Sequence, residues 1–265
     1  MPKAILNGID LYYEIQGKGK PLILISGLAS DSQSWQAVIK NLSRHYLVIT
    51  PDNRGVGRTM PQNIEISIRQ IVHDSVALIK HLGLSYVNLV GHSMGGFVAL
   101  DLAIRYPDCV NKLILAGTSV SNSKRNNALF SDWASCLESR MDLGMWFRTI
   151  FYWIFSRRFF ENDAAVNDAV RFAIEYPYPQ SAAAFRNQVK AMTSYDGTED
   201  LSRVRAKTMV ISGKEDLLFP TGESSDLARA IPRAYLSVIS NAAHSIHMER
   251  PQAFTNCVLD FLLDR

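Results

Sequence analysis

Apolar and polar positions follow two alternating regimes along the first half of the chain. Short runs rich in Val, Ile and Leu are separated by longer stretches whose apolar residues recur at helical spacing. The runs at 21–26, 46–50, 86–90 and 112–116 are nearly continuous in apolar residues, as strands buried on both faces must be. Runs at 4–6 and 11–16 flank Asn7-Gly8, a dipeptide suited to a tight hairpin turn. Ile68, Ile71, Val72, Val76, Leu78 and Ile79 place a helix over 67–81, with Gly83 as its stop. A further helical stretch covers 97–104 and breaks at Tyr106-Pro107.

From about Ser119 to about Leu201 strand signals disappear. Aromatics concentrate there (Trp133, Trp146, Phe151, Trp153, Phe155 and Phe159 among them), and polar breaks such as 121–127 divide the segment into several predicted helices. The strand and helix alternation resumes with a strand at 208–212, a helix near 223–230, a strand at 235–239 and a closing helix over 251–263. The order predicts an α/β fold, a mostly parallel sheet of about eight strands with helices on both faces. Residues 1–119 and 201–265 form the predicted core, and 120–200 an inserted helical cap.

Composition narrows the function. Of 265 residues, 47% are hydrophobic and 20% charged, which is ordinary for a globular protein and excludes disordered and fibrous classes. A net charge of +3 spread over scattered Lys and Arg lacks the basic stripe of a nucleic-acid binder. Cys109, Cys136 and Cys257 are far apart and not in metal-ligand spacing, so they read as reduced thiols. The segment from Met1 to Gly8 has no basic region followed by an apolar one, and the aromatic run 146–155 is too short to span a bilayer. A cytoplasmic protein without a membrane span is expected.

The chemistry gathers at Gly91-His92-Ser93-Met94-Gly95, placed between a predicted strand and a predicted helix. A serine on such a turn is pushed above the sheet edge, and small neighbours relieve the crowding, so Ser93 is the candidate nucleophile. A glycine-rich anion-binding turn is the alternative, but the loop has no lysine followed by Ser or Thr. A serine needs a base to take its proton. His45, His73 and His81 lie on or near helices, and His92 is assigned a shaping role. Of the two histidines after the last strand, His244 is the chosen base and His247 a packing or capping residue. Asp216, after the strand at 208–212, is the carboxylate that would orient the base, with Glu215 as its alternative. The Met94 backbone N–H, at a helix start, is the first expected oxyanion donor. The Leu28 N–H, in the loop after the third strand, is the second.

Together these residues resemble the α/β-hydrolase superfamily over nearly the whole chain. Asp52-Asn53-Arg54-Gly55-Val56-Gly57-Arg58-Thr59 is similar to that family's D-x-R-G-x-G-x-S loop, with Thr59 in the final position. Ser26-Gly27 departs from the family's usual His-Gly. Within the superfamily, 153–160 and 213–220 resemble the 3-oxoadipate enol-lactonase and microbial carboxylesterase branch, which is similar to the pimeloyl-carrier-protein methyl ester esterases. Ser93 separates the chain from haloalkane dehalogenases and epoxide hydrolases, which carry aspartate at that position, but not from cofactor-free peroxidases.

The reading is therefore a serine hydrolase that cleaves a small-molecule carboxylic ester or lactone through an acyl-enzyme, with no metal or cofactor. A thioester or carrier-bound methyl ester hydrolase is the enzymatic rival, and a non-turnover ligand-binding protein of the same fold is the rival of another class. Trp146, Phe151, Trp153, Phe155 and Phe159 are candidates to line the substrate pocket or to pack the cap on the core. Arg157 and Arg158 are candidates to meet a substrate carboxylate or to lie on the surface. The oligomeric state is left open.

Overall fold

Each predicted strand has a counterpart whose ends fall within two residues of the expected ones in the computed structural model, which describes residues 2–198 and 200–265. Met1, at the head of the N-terminal segment, and Glu199, within the predicted cap, lie outside the described residues. The strands are β1 (Lys3–Leu6), β2 (Ile9–Gln16), β3 (Pro21–Ile25), β4 (Leu47–Pro51), β5 (Val87–His92), β6 (Val110–Ala116), β7 (Lys207–Gly213) and β8 (Tyr235–Ile239). They form one eight-stranded sheet in the order β1-β2-β4-β3-β5-β6-β7-β8. The pairs β1–β2 and β2–β4 are antiparallel, and all others are parallel.

The helices are α1 (Gln36–Leu42), α2 (Ile68–His81), α3 (Met94–Arg105), α4 (Lys124–Glu138), α5 (Leu143–Ile154), α6 (Asp163–Ile174), α7 (Ala182–Thr193), α8 (Thr221–Ala230), α9 (Ile246–Glu249) and α10 (Pro251–Leu262). Alternate side chains of β3 explain the layering. Ile23 and Ile25 join the core formed with α2, α3 and α8, whereas Leu22 and Leu24 join Val38 and Leu42 of α1 and Phe254 and Val258 of α10 on the other face. Helix α3 begins at Met94 rather than at the expected 97, and α1 has no counterpart among the predicted helices. Gly95 and Gly96 are poor helix formers, yet both are needed. A Cβ on Gly95 would lie 2.1 Å from Ile25 O, and one on Gly96 2.5 Å from Thr118 Cγ2.

Between β6 and β7 no strand forms among the described residues, and α4 to α7 fill the interval. The polar breaks expected between helices are their N-caps. Ser123, Asp142, Asn162 and Ser181 each accept a backbone N–H of the first turn that the helix itself leaves unpaired. Where the chain leaves the sheet and returns, Ser121 bridges Asp196, and Gly197 N–H donates to Val120 O (2.9 Å). Helix α4 packs on α7 and α5, and α5 on α6. No helix of the described residues is long and apolar enough to cross a membrane.

Candidate active site

Parallel register brings the carboxyl ends of β3, β5, β6, β7 and β8 to one edge, where crevices of open α/β sheets bind ligands. Every candidate for chemistry follows one of these strands. Ser93 lies between β5 and α3 at φ 55°, ψ −121°, a conformation that side-chain-bearing residues rarely adopt. Its backbone is fully committed. The N–H donates to Ala116 O (3.0 Å), and the carbonyl accepts from Gly96 N–H (2.8 Å) and the Thr118 hydroxyl (2.9 Å). The flanking glycines are obligatory, since a Cβ on Gly91 would stand 2.2 Å from Gly95 O.

Asp216 and His244 are joined directly, Asp216 Oδ2 lying 3.0 Å from His244 Nδ1. The other carboxyl oxygen accepts the N–H groups of Leu218 (2.8 Å) and Phe219 (2.9 Å), so the acid is held on a tight turn. A carboxylate facing Nδ1 places the ring proton there and leaves Nε2 bare to act as a base. Phe219 stacks on the imidazole with ring centroids 5.7 Å apart. Glu215, the alternative acid, is only half-buried and takes a long contact from Arg157 N–H (3.4 Å). Gly117, after β6, leaves room for the pair, because a Cβ there would lie 3.3 Å from His244 Nδ1 and 3.4 Å from Asp216 Oδ2.

Ser93 and His244 are linked through His92, whose Nε2 lies 2.9 Å from the His244 carbonyl and whose ring centroid is 4.8 Å from that of His244. Among the described residues no hydrogen bond runs from the Ser93 hydroxyl to the imidazole.

The segments that carry the two expected donors, Met94 and Leu28, meet at the elbow. Gly27 is close enough to the elbow that a Cβ on it would come within 3.0 Å of Ser93 Cβ. Neither Met94 N–H nor Leu28 N–H donates to a protein acceptor among the described residues. Ser26, the departure from the family's His-Gly, is used locally. Its hydroxyl donates to Asp31 O (2.9 Å) and accepts the Trp35 indole N–H (2.8 Å), and its carbonyl accepts from Asn53 (3.0 Å).

His247 sits on α9, fully enclosed and packed against Trp35 with ring centroids 4.5 Å apart and the rings tilted by 34°. Neither ring nitrogen has a partner. Burial foremost, with His92 and His244 adding to it, holds its pKa well below the ordinary histidine value.

The aromatic candidates separate. Trp146 is buried against Phe185, with its indole N–H satisfied by Trp133 O (2.8 Å), an arrangement used for packing. Phe151 is buried and meets Phe155 and Phe159, which are half-buried and stack on each other at 4.3 Å. Trp153 is half-buried, with the Arg125 guanidinium 5.4 Å over its ring. The chain just beyond it reaches the His244 loop, since Ser245 N–H donates to Ile154 O (2.9 Å). Arg157 and Arg158 are exposed.

Two residues that hold these loops are not visible in the sequence. Glu249 accepts Ala243 N–H (2.7 Å) beside His244 and Ser156 N–H (2.8 Å) at the end of α5. Gln188 of α7 accepts Ala29 N–H (3.1 Å). Neither residue stands in a motif that could have flagged it.

Comparison with known proteins gives a consistent picture. A family model described as the alpha/beta hydrolase fold matches residues 20–251. A candidate carbamate hydrolase, RutD, of Azorhizobium caulinodans is 26% identical over 98% of each chain. The crystal structure of an enol-lactonase from Burkholderia xenovorans aligns with a TM-score of 0.89 at 25% identity, covering 99% of this chain and 100% of that one. A thermophilic esterase from Thermogutta terrifontis aligns with a TM-score of 0.87, also at 25% identity, over 99% and 98% of the two chains.

Proposed function

The chain belongs to the alpha/beta hydrolase fold family, and from that premise we propose that it cleaves a small-molecule carboxylic ester or lactone through an acyl-enzyme on Ser93. The observation that carries this reading is the His244–Asp216 hydrogen bond, set beside an elbow serine whose neighbouring backbone N–H groups are unpaired. In this scheme His244 Nε2 takes the Ser93 proton as Oγ attacks the ester carbonyl. Asp216 stabilises the imidazolium that forms. The Met94 and Leu28 N–H groups hold the oxyanion, each lowering the barrier by about 3–4 kcal/mol. Collapse of the adduct expels the alcohol, protonated by His244, and the same ring then activates water to release the acid.

The enol-lactonase and esterase likenesses support a carbonyl substrate with an oxygen leaving group. The carbamate hydrolase likeness recommends carbamates in the same screen. Within the scheme 120–200 acts as a helical cap on a core of 1–119 and 201–265. Phe155 and Trp153, adjacent to the segment that touches the His244 loop, are the cap residues proposed to meet the acyl group. Three free cysteines suit a reducing compartment, and the cytoplasm is the proposed location.

A kinetic screen over p-nitrophenyl esters, lactones, thioesters and carbamates tests the proposal, with Ser93→Ala as control. Ester or lactone turnover that vanishes in the variant is expected. Wild-type turnover retained by a folded Ser93→Ala protein would remove Ser93 from its role.

A further inference from the structure

The loop that carries the Leu28 N–H is shaped from outside the sheet. That N–H lies in the Gly27–Leu28 peptide plane, and the Leu28 dihedrals couple this plane to the next one, Leu28–Ala29. The Gly27–Leu28 plane is pinned locally, because Gly27 O accepts Ser30 N–H (3.3 Å). On the Leu28–Ala29 plane, Leu28 O accepts the Ser30 hydroxyl (3.3 Å), and Ala29 N–H donates to Gln188 Oε1 (3.1 Å). Ala29 itself sits at φ 56°, in the left-handed region that L residues other than Asn and Asp seldom enter. Such a turn persists where surrounding bonds over-determine it.

Gln188 is suited to do so. Its side chain is wholly enclosed, and its amide is oriented by three partners. Oε1 also accepts from Gln180 Nε2 (3.0 Å), and Nε2 donates to Arg54 O (3.3 Å). A carbonyl cannot donate, so the amide cannot be flipped without losing all three bonds. Asn187, its neighbour on α7, ties the same helix to the core by a bond to Ile64 O (2.7 Å) that does not touch the loop.

We infer that Gln188 is a positioning residue: from the inserted helices it locks the Leu28–Ala29 peptide and keeps the Leu28 N–H aimed at the oxyanion. This rests on the hydrolase reading of Ser93 and Leu28 given above. Charge on the oxygen develops only on the way to the tetrahedral state. Loosening the loop therefore weakens the hold on that state more than it weakens ground-state binding.

The test uses Gln188→Met, which keeps the length and removes the strong acceptor, beside Gln188→Glu, which keeps an oxygen for Ala29 N–H, and Asn187→Ala. Fluorophosphonate labelling of the wild type comes first. Then kcat/KM for p-nitrophenyl acetate and the inhibition constant of phenylboronic acid, a tetrahedral adduct former, are measured for each variant. Gln188→Met is expected to lose about tenfold or more in kcat/KM and a matching factor in boronate affinity. Gln188→Glu is expected to recover part of both, and Asn187→Ala to stay within about twofold of wild type. Should Gln188→Met fold poorly, Gln188→Asn, which draws the amide back by one methylene, replaces it with the same expectation. An unlabelled wild type would sink the serine reading and this inference together. A labelled wild type with unchanged Gln188→Met, or an equal loss in Asn187→Ala, would overturn the inference alone.

Discussion

His92 donates its Nε2–H to the backbone carbonyl of His244 across 2.9 Å, tying the residue before the proposed nucleophile to the residue proposed as base. A carbonyl oxygen only accepts, so the proton must sit on Nε2. Burial, followed by the neighbouring His244, pulls the His92 pKa down to about 3, and the ring stays neutral at working pH. His92→Phe removes the anchor while keeping a ring. We expect kcat/KM for a short ester to fall about tenfold and fluorophosphonate labelling to slow without losing stoichiometry. Unchanged rates would assign the loop's position to Glu249 and Ile154 alone.

Asp216→Asn keeps an oxygen for Leu218 and Phe219 N–H but turns an amide NH₂ toward His244 Nδ1. That reverses the tautomer and moves the proton to the nitrogen that must be bare. The expected loss in kcat is about 10³- to 10⁴-fold with the thermal transition little changed. Steady-state kinetics and a melting curve on the same preparation check both.

His247 and His92 make the fold sensitive to acid. Both are held neutral below the ordinary histidine value, so the unfolded chain takes up protons near pH 6.5 that the folded one refuses. Stability is therefore lost as pH falls below about 6.5, with a slope reaching up to about 2.7 kcal/mol per pH unit for the two rings together. His247→Leu removes one of them and two unpartnered buried nitrogens. Its Tm is expected to exceed that of wild type, by more at pH 5 than at pH 8, in parallel melts.

Asp31 behaves in the opposite sense. Burial first, then the charge of Asp52, raises its pKa, while the Tyr176 hydroxyl and Gln33 N–H bonds oppose the rise and Arg58 adds a smaller offset. The folded chain keeps the Asp31 proton longer than the unfolded one, so its contribution falls as pH rises from the ordinary carboxylate range through the raised value. Asp31→Asn is expected to raise Tm by roughly 2–3 °C at pH 8, with the advantage shrinking toward pH 4. An equal gain at both pH values would contradict it.

What the sequence revealed divides by the range of the interactions involved. The strands at 86–90 and 208–212 were legible because double-sided burial demands unbroken apolar runs. The elbow was legible because Gly91 and Gly95 answer local crowding around Ser93. The start of helix α3 is not legible in the sequence, because Gly95, required by the backbone of β3, and Gly96, required by the Thr118 side chain, look like helix breakers. Gln188 and Glu249 act on partners 159 and 93 residues away, where no spacing rule applies. The aromatics of α5 show a helix but not its facing. Trp146 turned out to be enclosed with its N–H bonded to Trp133, while Trp153 and Phe155 were left half-buried.

The most direct measurement is intact-protein and peptide mass spectrometry after exposure to a fluorophosphonate, with wild type, Ser93→Ala and His244→Ala compared. The account predicts one adduct per wild-type chain on the peptide containing Ser93, none in Ser93→Ala, and labelling slowed by orders of magnitude in His244→Ala. An adduct on another residue, or a wild-type chain that hydrolyses esters without ever labelling at Ser93, would contradict it.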